Sequence, residues 1–239
     1  MTFALSGEIT QLVVLALAMA GAGVAAGFVA GLLGVGGGIV VVPAVFEVLR
    51  VMDTAPDVRM HVAVGTSLAT IVATATRSAR AHHRRGAVDG ELLKSWGPGV
   101  LAGVALGSAI SGVVTGRVLT GIFGVVALLV AVYMAGFGNR AQIADRLPGQ
   151  PLKSLLAVIV GLISSLMGIG GGTLSVPILS LCSYPIRYAV GTSSAIGLII
   201  AVPGAIGFMI AGWGTPGLPP FSIGFVNPIA FAAIVPTTV

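Results

Sequence analysis

Charge is what this chain has least of. Asp, Glu, Lys and Arg make up 8% of its 239 residues, where roughly 25% is usual in a soluble domain. From Ser154 to Val239 the one charged side chain is Arg187. A water-facing surface cannot be built from so little charge. With 56% hydrophobic residues and a mean hydropathy of +1.08, the composition predicts an all-α polytopic membrane protein. The single cysteine, Cys182, excludes an intramolecular disulfide and supplies no metal set, and its expected role is as a small buried apolar residue. The three histidines, His61, His82 and His83, fall at the ends of apolar segments with no evident acid partner. That leaves a membrane-embedded enzyme without a nucleophile and base. No P-loop is present, since G-K-[ST] is missing. No dinucleotide fingerprint is present either, because Ile39 stands at the third glycine position. The first ten residues carry Glu8 and no basic stretch, so no cleavable signal peptide is expected.

The charge that is present is clustered. Much of the net +5 sits at Arg77, Arg80, His82, His83, Arg84 and Arg85, between two apolar segments. This reads as a positive-inside loop rather than a nucleic-acid patch. It predicts a multi-pass protein of a bacterial-type cytoplasmic (inner) membrane, with the basic loop 77–94 and the linker 138–153 cytoplasmic.

Glycine, by contrast, is abundant. Residues 34–43 read Gly-Val-Gly-Gly-Gly-Ile-Val-Val-Val-Pro and residues 168–177 read Gly-Ile-Gly-Gly-Gly-Thr-Leu-Ser-Val-Pro. Each string is followed by Ala-Val-Gly-Thr-Ser, at 63–67 and at 189–193. The same order twice marks an internal duplication: repeat 1 over 1–137, a polar linker over 138–151, and repeat 2 over 152–239. Repeat 2 is expected to lack the counterpart of repeat 1's last helix. Roughly 7–8 spanning helices are expected in the intact protein.

Both strings interrupt apolar stretches, and the segments after them, 39–51 and 173–183, are too short to cross a membrane alone. Each string therefore breaks a helix, and the half-helix that follows either continues across or doubles back. Charge placement favours doubling back, because it puts Arg187 on the same side as Arg140, Arg146 and Lys153. Two re-entrant hairpins of opposite orientation follow, which is an inverted repeat.

These motifs resemble the TauE/SafE family of anion transporters, the sulfite exporter or toluene-sulfonate uptake permease family. The stretch from Ala81 to Asp89 resembles that family's loop after its second helix. Repeat 2 departs from the pattern: Phe208 stands where repeat 1 has His82. The resemblance implies export or uptake of sulfite, sulfoacetate, another organosulfonate or thiosulfate. With no ATP-binding motif, the expected activity is that of a secondary carrier, more an exporter than an importer, working by alternating access without a cofactor or a metal. A passive anion channel is the alternative, and an enzyme the remote one. The expected partners are a small anion and the lipid bilayer, with a homodimer allowed and no nucleic acid.

A half-helix starting at Gly38 or Gly172 offers N–H groups and a positive dipole end to an oxyanion. The expected binding residues are thus Gly36, Gly37, Gly38, Gly170, Gly171 and Gly172. The hydroxyls of Thr66, Ser67, Thr192 and Ser193 and the charge of Arg187 join them, with Arg77, His82 and Ser194 at the margin. Gly34, Pro43, Gly65, Gly168, Pro177 and Gly191 complete the motif as structural positions. The same glycines would also serve close helix packing, and the same hydroxyls capping or back-bonding. Glu47, the only acid in either short arm, is a candidate for proton coupling or for an interfacial position.

Overall fold

The computed structural model describes Gly21, Gly23, Val24, residues 37–136, Ala144 and residues 146–238. Gly34, Gly36 and the helix expected before them lie outside the described residues. Among the described residues, eight helices follow in order: α1 Gly38–Val51, α2 Pro56–Arg84, α3 Gly90–Ser111, α4 Gly116–Gly136, α5 Leu152–Met167, α6 Gly171–Leu181, α7 Ile186–Ala211 and α8 Pro228–Thr238. No strand occurs among the described residues beyond an isolated bridge between Ile223 and Val226. Helices α2, α4 and α7 are long and apolar enough to cross a bilayer.

Local chemistry sets most of the boundaries. Asp89 starts α3 by accepting the N–H groups of Glu91 and Leu92 at 2.8 and 3.1 Å, an N-cap. Pro56 opens α2, and Pro185 precedes α7. Both halves turn through a left-handed residue after the short helix, Asp53 and Ser183. Helix α2 begins six residues before the apolar run at 62, and α3 six before the run at 96. Their first turns are polar, so hydropathy alone places both starts too late. The second half-helix starts at Gly171, one residue earlier than expected, with Gly170 extended at its N-cap.

The direction of each helix follows from what packs where. Gly99, Gly103 and Gly107 of α3 lie against Ala157, Val158 and Ser165 of α5, in rising order. Gly97 and Ser108 of α3 meet Ile199 and Gly207 of α7. Helices α3, α5 and α7 therefore run the same way. Helix α2 runs against them, since its Gly65 meets Phe208 and its Ala75 meets Gly197. Helix α6 also runs against α7: its first residue, Gly171, lies beside Ser193 and Gly197, while its end joins α7 through a short turn. Hence α6 goes back the way α5 came. The linker agrees, because Ala144 accepts from Ser183 Oγ at 2.9 Å and donates to the Leu181 carbonyl at 3.1 Å.

The core is built around α2, whose residues 60–71 are all buried. Trp96, Leu68, Phe208 and Ile200 are among its largest members. Helix α4 is the opposite case, with Val125, Leu128, Leu129 and Val132 exposed, as expected of a face that meets lipid. Cys182 is half-buried rather than buried, because it caps the C-terminus of α6 at one end of the molecule.

Candidate anion site where the glycine strings meet

Chain reversal after α5 rests on Gly168, which caps that helix at φ 66°, a left-handed conformation that glycine adopts without cost. The carbonyl of Gly168 accepts from Ser67 Oγ at 2.7 Å. The same carbonyl faces Gly38, where an added Cβ would lie 2.4 Å from it. The two glycine strings, 130 residues apart by the arithmetic 168 − 38, therefore touch. Glycine at 38 and 171 serves close backbone packing. Gly170 differs, since a Cβ there would meet only Ile71 at 3.7 Å.

Beside this contact lies the start of α6, whose first N–H groups have no partner within the helix. Three hydroxyls on the adjoining segments, those of Ser164 one turn before Gly168, Ser175 one turn into α6 and Ser193, whose backbone lies beside Gly171, are buried without a hydrogen-bond partner. Leaving a polar group in that state costs roughly 1–3 kcal/mol. Such groups, with the N–H groups of the α6 start, are of the kind that offers donors to an anion without a cation having to be buried among them.

The remaining hydroxyls do something else. Thr192 Oγ1 accepts the backbone N–H of Asp89 at 2.9 Å, and Thr66 Oγ1 accepts that of Asn227 at 3.0 Å. Asp89 caps α3, and Asn227 Oδ1 accepts from Ala230 to cap α8. Beneath each cap a glycine makes room. A Cβ on Gly191 would lie 2.0 Å from the Ala87 carbonyl oxygen, and one on Gly65 would lie 2.3 Å from that of Phe225. Each half thus supplies a Gly-Thr that clasps the helix cap of the other half. The clasped segments are themselves a repeated motif, Gly86-Ala87-Val88-Asp89 and Gly224-Phe225-Val226-Asn227, with both glycines at positive φ. The shared Gly-x-Val-Asp/Asn, read as a helix start, is the signal that the two strings overshadow in the sequence.

The clasp at Asp89 carries charge. Tyr184 donates its hydroxyl to the Asp89 carboxylate. That bond is the main reason the Asp89 pKa lies below 3.8. The N–H groups of Leu92 and Glu91 and the charge of Lys153 add to it against a burial term that raises it. The same bond and burial push the Tyr184 hydroxyl up. Arg187 is exposed at the start of α7 and donates to the Arg85 carbonyl at 2.5 Å, apart from the glycine strings. Ser194 bonds back to the Gly191 carbonyl at 2.7 Å. Arg77 and Arg80 line a groove of about 500 Å³ between α2 and α7, and His82 sits in the last turn of α2. Glu47 is exposed and pairs with Arg50 at 3.2 Å. Among the described residues, no group of three or more His, Cys, Asp or Glu could hold a metal ion.

Oppositely directed long, apolar helices around a helix broken at the glycine string define a polytopic helical membrane protein. Residues 19–239 match the family described as sulfite exporter TauE/SafE, and the chain belongs to it. It is 32% identical over 217 residues to a "probable membrane transporter protein" of Haemophilus influenzae, covering 90% of this chain and 82% of that one. A protein of the same description from Methanocaldococcus jannaschii is 28% identical over 88% of this chain and 79% of its own length. One from Bacillus subtilis is 30% identical over 80% and 77%. No solved structure matches.

Proposed function

We propose that the protein is a secondary carrier of a small sulfur oxyanion or organosulfonate, held where the glycine strings meet and released by alternating access. The observation that carries this reading is the N-terminus of α6 with Ser164, Ser175 and Ser193 buried and unpartnered beside it. A sulfonate or sulfite accepts hydrogen bonds through its oxygens and suits a site made of N–H and O–H donors. The opposed directions of α2 and α7 support an inverted repeat, in which each half rocks against the other around a fixed site. Export fits the family's description, with the basic loop 77–94 facing the cytoplasm of a bacterial inner membrane.

The test is thermal unfolding of the purified protein with sulfite, thiosulfate, sulfoacetate, sulfate, taurine and acetate. A ligand present at about 100 times its Kd stabilises by about 2.7 kcal/mol, so the sulfur oxyanions should raise Tm while acetate and taurine do not. Ser193→Ala should weaken binding by about tenfold or more and so cut that stabilisation to about half or less, since the loss of one hydrogen bond to a charged group is worth about 1.5–3 kcal/mol. Stabilisation by acetate alone would refute the reading.

A further inference from the structure

Among the described residues, the buried polar set contains one titratable side chain, His61 at 4% exposure. Its Nδ1 lies 3.0 Å from the Asp57 carbonyl oxygen and its Nε2 lies 3.1 Å from that of Val114. A carbonyl oxygen only accepts, and a neutral imidazole donates from one nitrogen. In the neutral ring the second nitrogen would aim a lone pair at an oxygen, so only the doubly protonated ring satisfies both contacts. Its surroundings suit a cation. The Phe225 ring lies at 4.8 Å between centroids, tilted by 31°, within range for a cation–π contact. Val114 lies just past the C-terminus of α3 and donates to Ile110, at the negative end of that helix dipole.

The opposite clasp has a cation at the corresponding place. Arg187 and His61 each stand four residues before their Gly-Thr-Ser, and each binds a backbone carbonyl of a neighbouring segment. One is permanently charged; the other is of the only type whose charge ordinarily changes between about pH 5 and 8. At the end of the molecule that holds the imidazole, the charged groups are Glu47 and Arg50 on α1, Asp53 in the turn after it, Asp57 and Arg59 on α2 and Arg117 on α4, while the other charges of α2 and α3 lie at their far ends. None of them forms an ion pair with it. The segment 212–227 and the end of α7 bring no charge.

We infer that His61 is a proton-binding group of the transport cycle: doubly protonated, it fastens α2 to the α3–α4 turn and to Phe225, and losing a proton loosens that end alone. This rests on the carrier reading and names its coupling ion as the proton. Protonation favours the fastened end, so the fastening is present at lower pH and lost as pH rises.

Imidazole nitrogen NMR of ¹⁵N-histidine-labelled protein in bilayers tests the first step, with the His61 signal assigned by its loss in His61→Gln. The expected result is two N–H nitrogens on the His61 ring at low pH and one once the pH is raised. A ring with one bare nitrogen throughout would overturn the inference. The second step is sulfoacetate flux in proteoliposomes, chosen because a sulfonate keeps its charge as the pH is raised. A proton gradient should stimulate the wild type several-fold and leave His61→Arg unmoved, while sulfoacetate still raises the Tm of both. Full stimulation of His61→Arg would also overturn it. If sulfoacetate neither binds nor moves, the substrate reading fails, and the NMR result still decides whether the proton is held.

Discussion

Glycine does two jobs in this protein, and single substitutions separate them. At Gly191 a methyl group would be driven into the Ala87 carbonyl, at 2.0 Å. Overpacking of that kind costs about 1–3 kcal/mol, so Gly191→Ala should lower Tm and the yield of folded protein. At Gly170 the backbone is extended and the space is open to Ile71 at 3.7 Å. Gly170→Ala should therefore keep its Tm and lose ligand-induced stabilisation, and an unchanged ligand shift would remove that position from the site. A third substitution concerns Tyr184, whose bond to Asp89 is the largest cause of that carboxyl's lowered pKa. A depressed carboxyl pKa stabilises above the unfolded value, and the contribution is lost as pH falls through the folded value. The contribution is therefore present near neutral pH and shrinks as pH falls, so Tyr184→Phe should have the lower Tm at about pH 6, with the gap to wild type closing toward about pH 3. Tm measured between about pH 3 and 6 checks this, and coincident acid limbs would show that the hydroxyl does not hold the carboxylate. At this scale the sequence shows which residues are special without showing their partners. Thr66 and Thr192 stand out by repetition, yet their partners lie 161 and 103 residues away. A hydrogen bond over that separation leaves no local pattern.

The break between α5 and α6 can be read from the string and from the shortness of the run after it. So can the reversal, from the charges that flank it. What hydropathy cannot show is how helices meet. Gly99, Gly103 and Gly107 form a small-residue stripe at four-residue spacing along α3, and it receives α5. Lipid tails are as apolar as any side chain, so such contacts are selected by shape rather than by hydrophobicity. The reversal makes a directional prediction. Cys182 is the only cysteine, and Lys153→Cys in a Cys182→Ser background offers a second label near the start of α5. With α6 running back along α5, a membrane-impermeant maleimide should reach both from the same side of sealed vesicles. A cysteine at Thr215 should label from the other. Labelling of positions 153 and 182 from opposite sides would mean that α6 continues across.

Across the whole molecule the halves interlock rather than sit side by side. Helix α3 of the first half packs along α5 and α7 of the second, and α2 lies against α7. Each half buries much of its apolar surface against the other. Co-expressed as 1–137 and 152–239, the two should co-purify as a folded pair, while each alone should be degraded. Stable accumulation of either half alone would contradict the interlocked core. The duplication that announces this architecture is plain in the sequence, whereas the interlocking is not, because a motif pair gives order along the chain and no arrangement in space.

The crossed clasps carry one more consequence. A lone half would hold a Gly-Thr with no cap to grip and a cap with nothing gripping it, so it would be incomplete at both ends. Two identical copies inserted in opposite senses would complete each other at once, and joining them in one chain then fixes a ratio that free copies must reach by chance. Fusion also frees the two ends to diverge. Asp89 against Asn227 and Arg187 against His61 are differences that a pair of identical subunits could not maintain.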